Sequence, residues 1–348
     1  MLSKEEIKNL LEKIDNLNVN TSILKTENVL NRFKKIIVSI SGGSDSDIVL
    51  DLVEKTRKDQ EIEYVWFNTG LEYQATRKHL KYLEKKYNIR IKEVRAIKSI
   101  PLCCHTYGQP FLSKYVSEKI ETLQRYNFKW EDRPFEELAK KYPKCISAIK
   151  WWCNYYKTKS GSKTMFNINR NTLLKEFLIE NPPKFKISKK CCKYAKKDVL
   201  KAYIKDKDFG LDIVGIRKSE GGIRTFAYQN CFSDNHDKDI ISQYRPIFWY
   251  KDEDKKYYEE MFDIVHSDCY TKYGFLRTGC VGCPYNRKVF EDLEVTKIYE
   301  PNLYKACSKI FKDSYEYTKK YREFCKKMKA KEKSLKKQNL NQISFNNF

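Results

Sequence analysis

Two groups of residues in this 348-residue chain have the types and spacing to do chemistry. The first is Ser41-Gly42-Gly43-Ser44-Asp45-Ser46. Between a strand and a helix, such a turn aims backbone N–H groups and the positive end of a helix dipole at one point. That arrangement suits a phosphate. Two adjacent glycines let the backbone approach a ligand with no Cβ in the way. Ser41, Ser44 and Ser46 add hydroxyls, and Asp45 could orient a magnesium ion or a ribose. The plain alternative is an ordinary strand–helix turn capped by Ser44 or Asp45.

The second group is Cys191-Cys192 with Cys280-Val281-Gly282-Cys283. A Cys-x-x-Cys turn points two thiolates at one ion, and Pro284 behind it is a frequent companion of iron–sulfur ligands. A vicinal cysteine pair is unusual as half of a zinc site, where spacings of two to four residues prevail. Four such thiolates suit a [4Fe–4S] cluster; zinc, or buried cysteines holding nothing, are the alternatives.

The surrounding pattern supplies elements to position both groups. Ile36 to Ile40 reads as a buried strand, followed by a helix over about 46–57. A second strand, Glu63 to Asn68, ends in Thr69-Gly70, and a helix runs from Tyr73 to Tyr87. A third strand lies near Ile89 to Ala96, and Leu211 to Ile216 makes another. Strands alternating with helices predict an α/β domain with a parallel sheet. Ligands then sit outside the carboxyl ends of the strands, which puts Ser41–Ser46 and Asn68, Thr69, Gly70 and Glu72 on one rim. The expected organisation is an N-terminal helix over 1–30 and a nucleotide-binding domain over 31–225, with a helical insertion at about 100–185. A cysteine-bearing extension over 226–325 and a basic, frayed tail over 326–348 complete it.

The loop resembles that of the PP-loop ATP-pyrophosphatase superfamily, which has the form SGGxDS. Members often carry lysine at the fourth position, where this chain has Ser44. The CC pair, 87 intervening residues and CxxC make the likeness sharper. So do Gly215-Ile216-Arg217-Lys218-Ser219-Glu220 with Arg224, and Arg245-Pro246-Ile247-Phe248-Trp249. Together they are similar to the iron–sulfur adenylyl-sulfate and phosphoadenylyl-sulfate (PAPS) reductases, and to the sulfurtransferases of DNA phosphorothioation. The resemblance covers about residues 30–290. It implies an adenine-nucleotide alpha-hydrolase-like fold, ATP with Mg2+ on Ser41–Ser46, and a [4Fe–4S] cluster on Cys191, Cys192, Cys280 and Cys283. It places Asn68, Thr69, Gly70 and Glu72 beside the adenosine. Arg217 and Arg224 are candidates for phosphate or sulfate oxygens, since a guanidinium binds them in bidentate fashion; Arg245 is a third.

Two departures shift the expected reaction. The reductases carry a catalytic cysteine in a C-terminal Glu-Cys-Gly-type motif, whereas here no cysteine follows Cys325. Their phosphate loop is also degenerate, and here it is intact. The expectation is therefore an enzyme that adenylates a substrate with release of pyrophosphate and supports sulfur transfer. A sulfonucleotide reductase and a non-catalytic cluster-bearing nucleic-acid-binding module are the rivals. Asp45, Arg217 and Arg224 are the candidate catalytic residues. Cys104, in Cys103-Cys104-His105, could supply an attacking thiolate, although structural burial explains it equally well.

Composition adds partners. A formal charge of +23 fits an anionic partner such as DNA or tRNA. Yet 55 lysines against 14 arginines, beside many Asn, Ile and Tyr, is also what codon bias would produce. A sulfur-donor protein is a further expected partner. Twelve cysteines without a secretory signal or a bilayer-spanning run predict a reducing, cytoplasmic setting and no membrane. Trp151 and Trp152 read as an aromatic core, Cys307 and Cys325 as packing residues. The four histidines (His79, His105, His236 and His266) suggest no metal site. Oligomeric state is not expressed in the pattern.

Overall fold

Ile36, Ile37 and Val38 are wholly buried, as a central strand with both faces covered requires. In the computed structural model, which describes residues 2–345 except 159, 162–163, 206, 222–226 and 235–240, they belong to β1 (Lys35–Ser39). The chain divides into two compact units. Unit one comprises Met1–Ile100, Cys192–Val281 and Glu294–Leu303. Unit two comprises Pro101–Cys191, Gly282–Leu293 and Tyr304–Phe348.

Unit one opens with α1 (Lys4–Glu12) and α2 (Leu17–Leu30), two helices where the sequence suggests one. Asn16 divides them by capping α2, its side chain accepting from the Val19 N–H. After β1 come α3 (Ser44–Thr56), β2 (Glu61–Asn68), α4 (Gln74–Tyr87) and β3 (Ile91–Arg95). The chain later returns to the sheet as β4 (Leu211–Val214), β5 (Phe232–Ser233) and β6 (Ser242–Tyr244). The strand order is β3-β2-β1-β4-β6-β5, parallel throughout except for the β5–β6 pair. This is the α/β architecture the sequence implies.

Alternation along the strands sends side chains to two cores. Ile36, Val38, Tyr64, Trp66, Leu211, Ile213 and Tyr244 pack with Val19, Ile23, Ile48, Val49 and Leu52 of α2 and α3. Ile37 and Val65 point the other way, to Phe209, Leu200 and Tyr203. The N-terminal helices are also bolted to the helix Asp252–Met261. Asn16 and Asn18 both donate to the Asp254 carboxylate, at 2.9 and 3.0 Å, and the Asp15 N–H donates to Tyr257. Ser22 meets Tyr250, and Thr26 meets Tyr244.

Unit two is helical, with a core of Phe111, Ile120, Trp151, Trp152, Phe177, Tyr317 and Tyr321. Both tryptophans are fully buried. The segment after 326, expected as frayed chain, continues the helix Lys312–Phe345. The reason is local: the stretch is rich in Lys, Glu and Gln and has no Gly or Pro before its end. Among the described residues no helix is long and apolar enough to cross a membrane.

Candidate functional site

Gly42 makes the turn after β1 possible. Its φ is +67°, and a Cβ there would lie 2.7 Å from Thr76 Cγ2. Gly43 follows with ordinary extended backbone and caps α3. Its role is clearance, since a Cβ would meet the hydroxyls of Ser41, Thr278 and Tyr270, each at 3.2 Å. Ser46 is spent on the loop itself. Its Oγ donates to the Gly43 carbonyl at 2.7 Å and accepts from the Gly43 N–H at 3.1 Å. The Ser44 N–H donates to the Tyr270 hydroxyl at 3.1 Å, which in turn pairs with Thr278 Oγ1 at 3.0 Å.

A cavity of about 500 Å³ opens over this loop, lined by Ser41 and Gly43–Ser46 and by Arg217, Asp252, Lys255, Arg277 and Thr278. Asp45 accepts from Arg217 Nε at 3.1 Å and lies 3.0 Å from Lys255 Nζ. Arg217 also donates to Asp252 at 2.7 Å and to Ser219 Oγ at 3.2 Å. Burial would lower the Arg217 pKa, but its bonds to Asp252 and Asp45 outweigh that and hold it above its ordinary value. A smaller cavity of about 160 Å³ shares Ser41 and Thr278 with the first. Ile40, Trp66, Phe67, Glu72 and Lys196 line it.

Glu72 thus reaches a cavity from the second rim segment, with Thr69 donating to it through both N–H and hydroxyl. Burial raises its pKa above the usual carboxylate range. Asn68 and Gly70 line neither of these two cavities. The Asn68 side chain instead braces the turn, donating to Glu93 and accepting from the Gly70 N–H. Arg224 lies outside the described residues, as does His236. Arg245 is a correction: it is 1% exposed, donates to the Asn230 carbonyl, Ser233 and Gln243, and lines neither cavity, so it shapes the fold.

Beneath the loop, one carboxylate joins two histidines that are scattered in the sequence. Asp47 Oδ2 lies 3.0 Å from His79 Nε2 and 2.8 Å from His266 Nδ1. His266 Nε2 faces Glu259 at 2.8 Å. With a carboxylate at each ring nitrogen, His266 must donate from both, as only the imidazolium can. Burial opposes that charge, yet the bonds to Asp47 and Glu259 prevail and raise its pKa to about 9.

The cysteines divide between the units. Cys192 and Cys280 belong to unit one, Cys191 and Cys283 to unit two. Cys280 Sγ lies 3.6 Å from Thr69 Oγ1. Burial raises its pKa, Lys196 lowers it, and nearby Glu72 and Cys192 raise it further. Cys192 and Cys280 are therefore electrostatic neighbours. Among the described residues, no group of three or more His, Cys, Asp or Glu is placed to hold a metal ion. Cys104 is 7% exposed in unit two, in a helix formed by Ile100–Tyr107.

Residues 35–143 match the phosphoadenosine phosphosulfate reductase domain. That reductase-domain match spans β1 to β3, with the loop and Glu72; Arg217, Lys255 and Cys280 lie beyond it. Loosely similar solved structures include the phosphoadenylyl-sulfate reductase of Candida auris in a phosphate complex. It is 13% identical, with 80% of this chain and 96% of that one covered at a TM-score of 0.40. Another is FMN adenylyltransferase of Candida glabrata with FAD and inorganic pyrophosphate (9% identical, 79% and 69% covered, TM-score 0.40). A third is the U34-tRNA thiolase NcsA of Methanococcus maripaludis with its [4Fe-4S] cluster (12% identical, 88% and 80% covered, TM-score 0.36). No curated protein matches the sequence.

Sequence reasoning misses Lys255, Asp252, Tyr270, Arg277 and Thr278. One signal points near Lys255: the segment Arg245–Trp249 precedes a helix. Nothing in the run Lys251–Met261 distinguishes the lysine that faces the loop.

Proposed function

We propose that unit one binds ATP and adenylates a substrate, releasing pyrophosphate. The observation that supports this most is the larger cavity, where a helix N-terminus and the basic side chains Arg217, Lys255 and Arg277 converge. The triphosphate would lie there, over Gly42 and Gly43, and the nucleoside in the smaller cavity beyond Ser41 and Thr278. A substrate oxygen attacks the α-phosphate, the bond to the β-phosphate breaks, and its electron pair leaves with pyrophosphate. The cations stabilise the charge that collects on the leaving group, which lowers the barrier of such a transfer more than any other single effect. A magnesium ion would enter with ATP near Asp45.

The acceptor class we propose is nucleic acid, DNA or tRNA, in keeping with the +23 charge. Sulfur from a donor protein then displaces AMP from the activated atom. The paired spacing of Cys191, Cys192, Cys280 and Cys283 supports a [4Fe–4S] cluster held by those four; it would supply a soft site for sulfur or electrons. Anaerobic purification with iron and sulfide analysis tests this, and zinc without sulfide would overturn it. ATP–pyrophosphate exchange across a panel of tRNA, DNA and small acceptors tests the reaction. The domain match over residues 35–143 favours a second reading, reduction of a sulfonucleotide. Thiol-dependent sulfite release from adenylyl sulfate, without pyrophosphate exchange, would select it.

A further inference from the structure

The loop that would receive the phosphates carries no cation. Between Ser41 and Ser46 the one charged residue is Asp45, an anion in the first turn of α3. The helix dipole and backbone N–H groups attract a polyanion there, and the Asp45 carboxylate repels it. Cations must therefore come from elsewhere in the fold.

Lys255 comes from the helix Asp252–Met261, and its side chain is 17% exposed. Its ammonium donates to Ser44 Oγ, on the first residue of α3, and lies 3.0 Å from Asp45 Oδ1 and 3.7 Å from Glu259 Oε1. Both carboxylates have a second cation. Asp45 accepts from Arg217 Nε at 3.1 Å on each oxygen, and Glu259 faces the His266 imidazolium at 2.8 Å. Each of the two therefore keeps one cation when Lys255 leaves, with Arg217 shared between Asp45 and Asp252 and His266 between Glu259 and Asp47. Lys255 can turn to a phosphate oxygen and leave neither carboxylate without a cationic partner, which would otherwise be the main cost of recruiting a buried cation.

We propose that Lys255 is the phosphate-binding cation of this loop, supplied from outside it and exchanged from Asp45 to the leaving pyrophosphate. This rests on the ATP-binding reading above. The ammonium approaches through Ser44, so a lysine placed at position 44 can put its charge at the same spot. The geometry therefore predicts a rescue as well as a loss.

The test is calorimetric titration of inorganic pyrophosphate and of ATP into the full chain. Lys255→Met should weaken pyrophosphate binding roughly ten- to hundredfold, as loss of one charge-assisted hydrogen bond does. Ser44→Lys in the Lys255→Met background should recover most of it. Lys256→Met, removing an exposed lysine that pairs with Glu260, should stay within about twofold of wild type. A folded Lys255→Met protein that binds pyrophosphate like wild type overturns the inference and leaves the ATP reading standing. Wild-type protein that binds neither ligand overturns both. Circular dichroism checks folding. If Lys255→Met alone unfolds, the double variant decides: pyrophosphate bound supports the proposal, and none bound overturns it.

Discussion

Arg217 follows β4 and Arg245 follows β6, two neighbouring parallel strands, and both side chains are largely withdrawn from water. Their partners differ in kind. Arg217 holds carboxylates, Asp45 and Asp252, and keeps its pKa raised. Arg245 holds a carbonyl, a hydroxyl and an amide oxygen, with its guanidinium 4.0 Å from the centre of the Tyr228 ring, and burial pulls its pKa down. A cation on carboxylates at a cavity wall can trade one anion for another, whereas one on neutral buried acceptors is structural.

The sharpest way to break this contrast is Arg245→Met. It should cost about 3 kcal/mol or more of stability by leaving buried acceptors unpaired. Urea unfolding reads that loss, and ATP affinity of the folded protein should change less than about threefold. Gly43→Val should do the reverse. Its extended backbone admits a side chain but the Cβ presses on three hydroxyls at 3.2 Å, so the melting temperature should fall less than in Arg245→Met while calorimetry finds ATP binding reduced roughly a hundredfold. Arg217→Met is expected to weaken pyrophosphate binding about ten- to hundredfold and to cost less stability than Arg245→Met, because Asp45 keeps Lys255 and Asp252 is exposed to water. Equal stability losses in the two arginine variants would erase the distinction.

The smallest effect is a pH dependence beneath the loop. In the unfolded chain His266 titrates near its ordinary 6.5, in the fold at about 9. Its proton therefore stabilises the fold fully below about pH 6.5, and that stability is lost as pH rises through about 9. Between pH 7 and 9.5 the wild-type protein should lose on the order of 2 kcal/mol more than His266→Gln. Parallel slopes in paired urea titrations would remove the charged bridge between Asp47 and Glu259.

What can be read in the sequence is local. β1 and β2 show as β-branched or aromatic runs, and the loop between β1 and α3 shows as glycines set between two patterned elements. β6 escapes notice because Ser242-Gln243-Tyr244 is short and mostly polar, its place fixed by pairing with β4. Arg217 and Arg245 look alike, because what separates them is the charge of their partners, and Asp45 lies 172 positions from Arg217. The Asp47 histidine pair and Lys255 are invisible for the same reason: the fold brings His266 to Asp47 and Lys255 to Ser44 across 219 and 211 positions. Unit two is assembled from three separate stretches, so no composition shift marks its edges.

The fastening of α1 and α2 to the helix Asp252–Met261 has a practical consequence. Asp254, the clasp for Asn16 and Asn18, is the immediate neighbour of Lys255 and two positions from Asp252. Trimming the first twenty residues for expression would thus loosen the scaffold that aims two charged side chains at the cavity over the loop. Such a shortened protein, which also lacks the core residues Ile7, Ile14 and Val19, should lose helical signal and stability and bind pyrophosphate more weakly, a defect easily mistaken for damage at the loop itself.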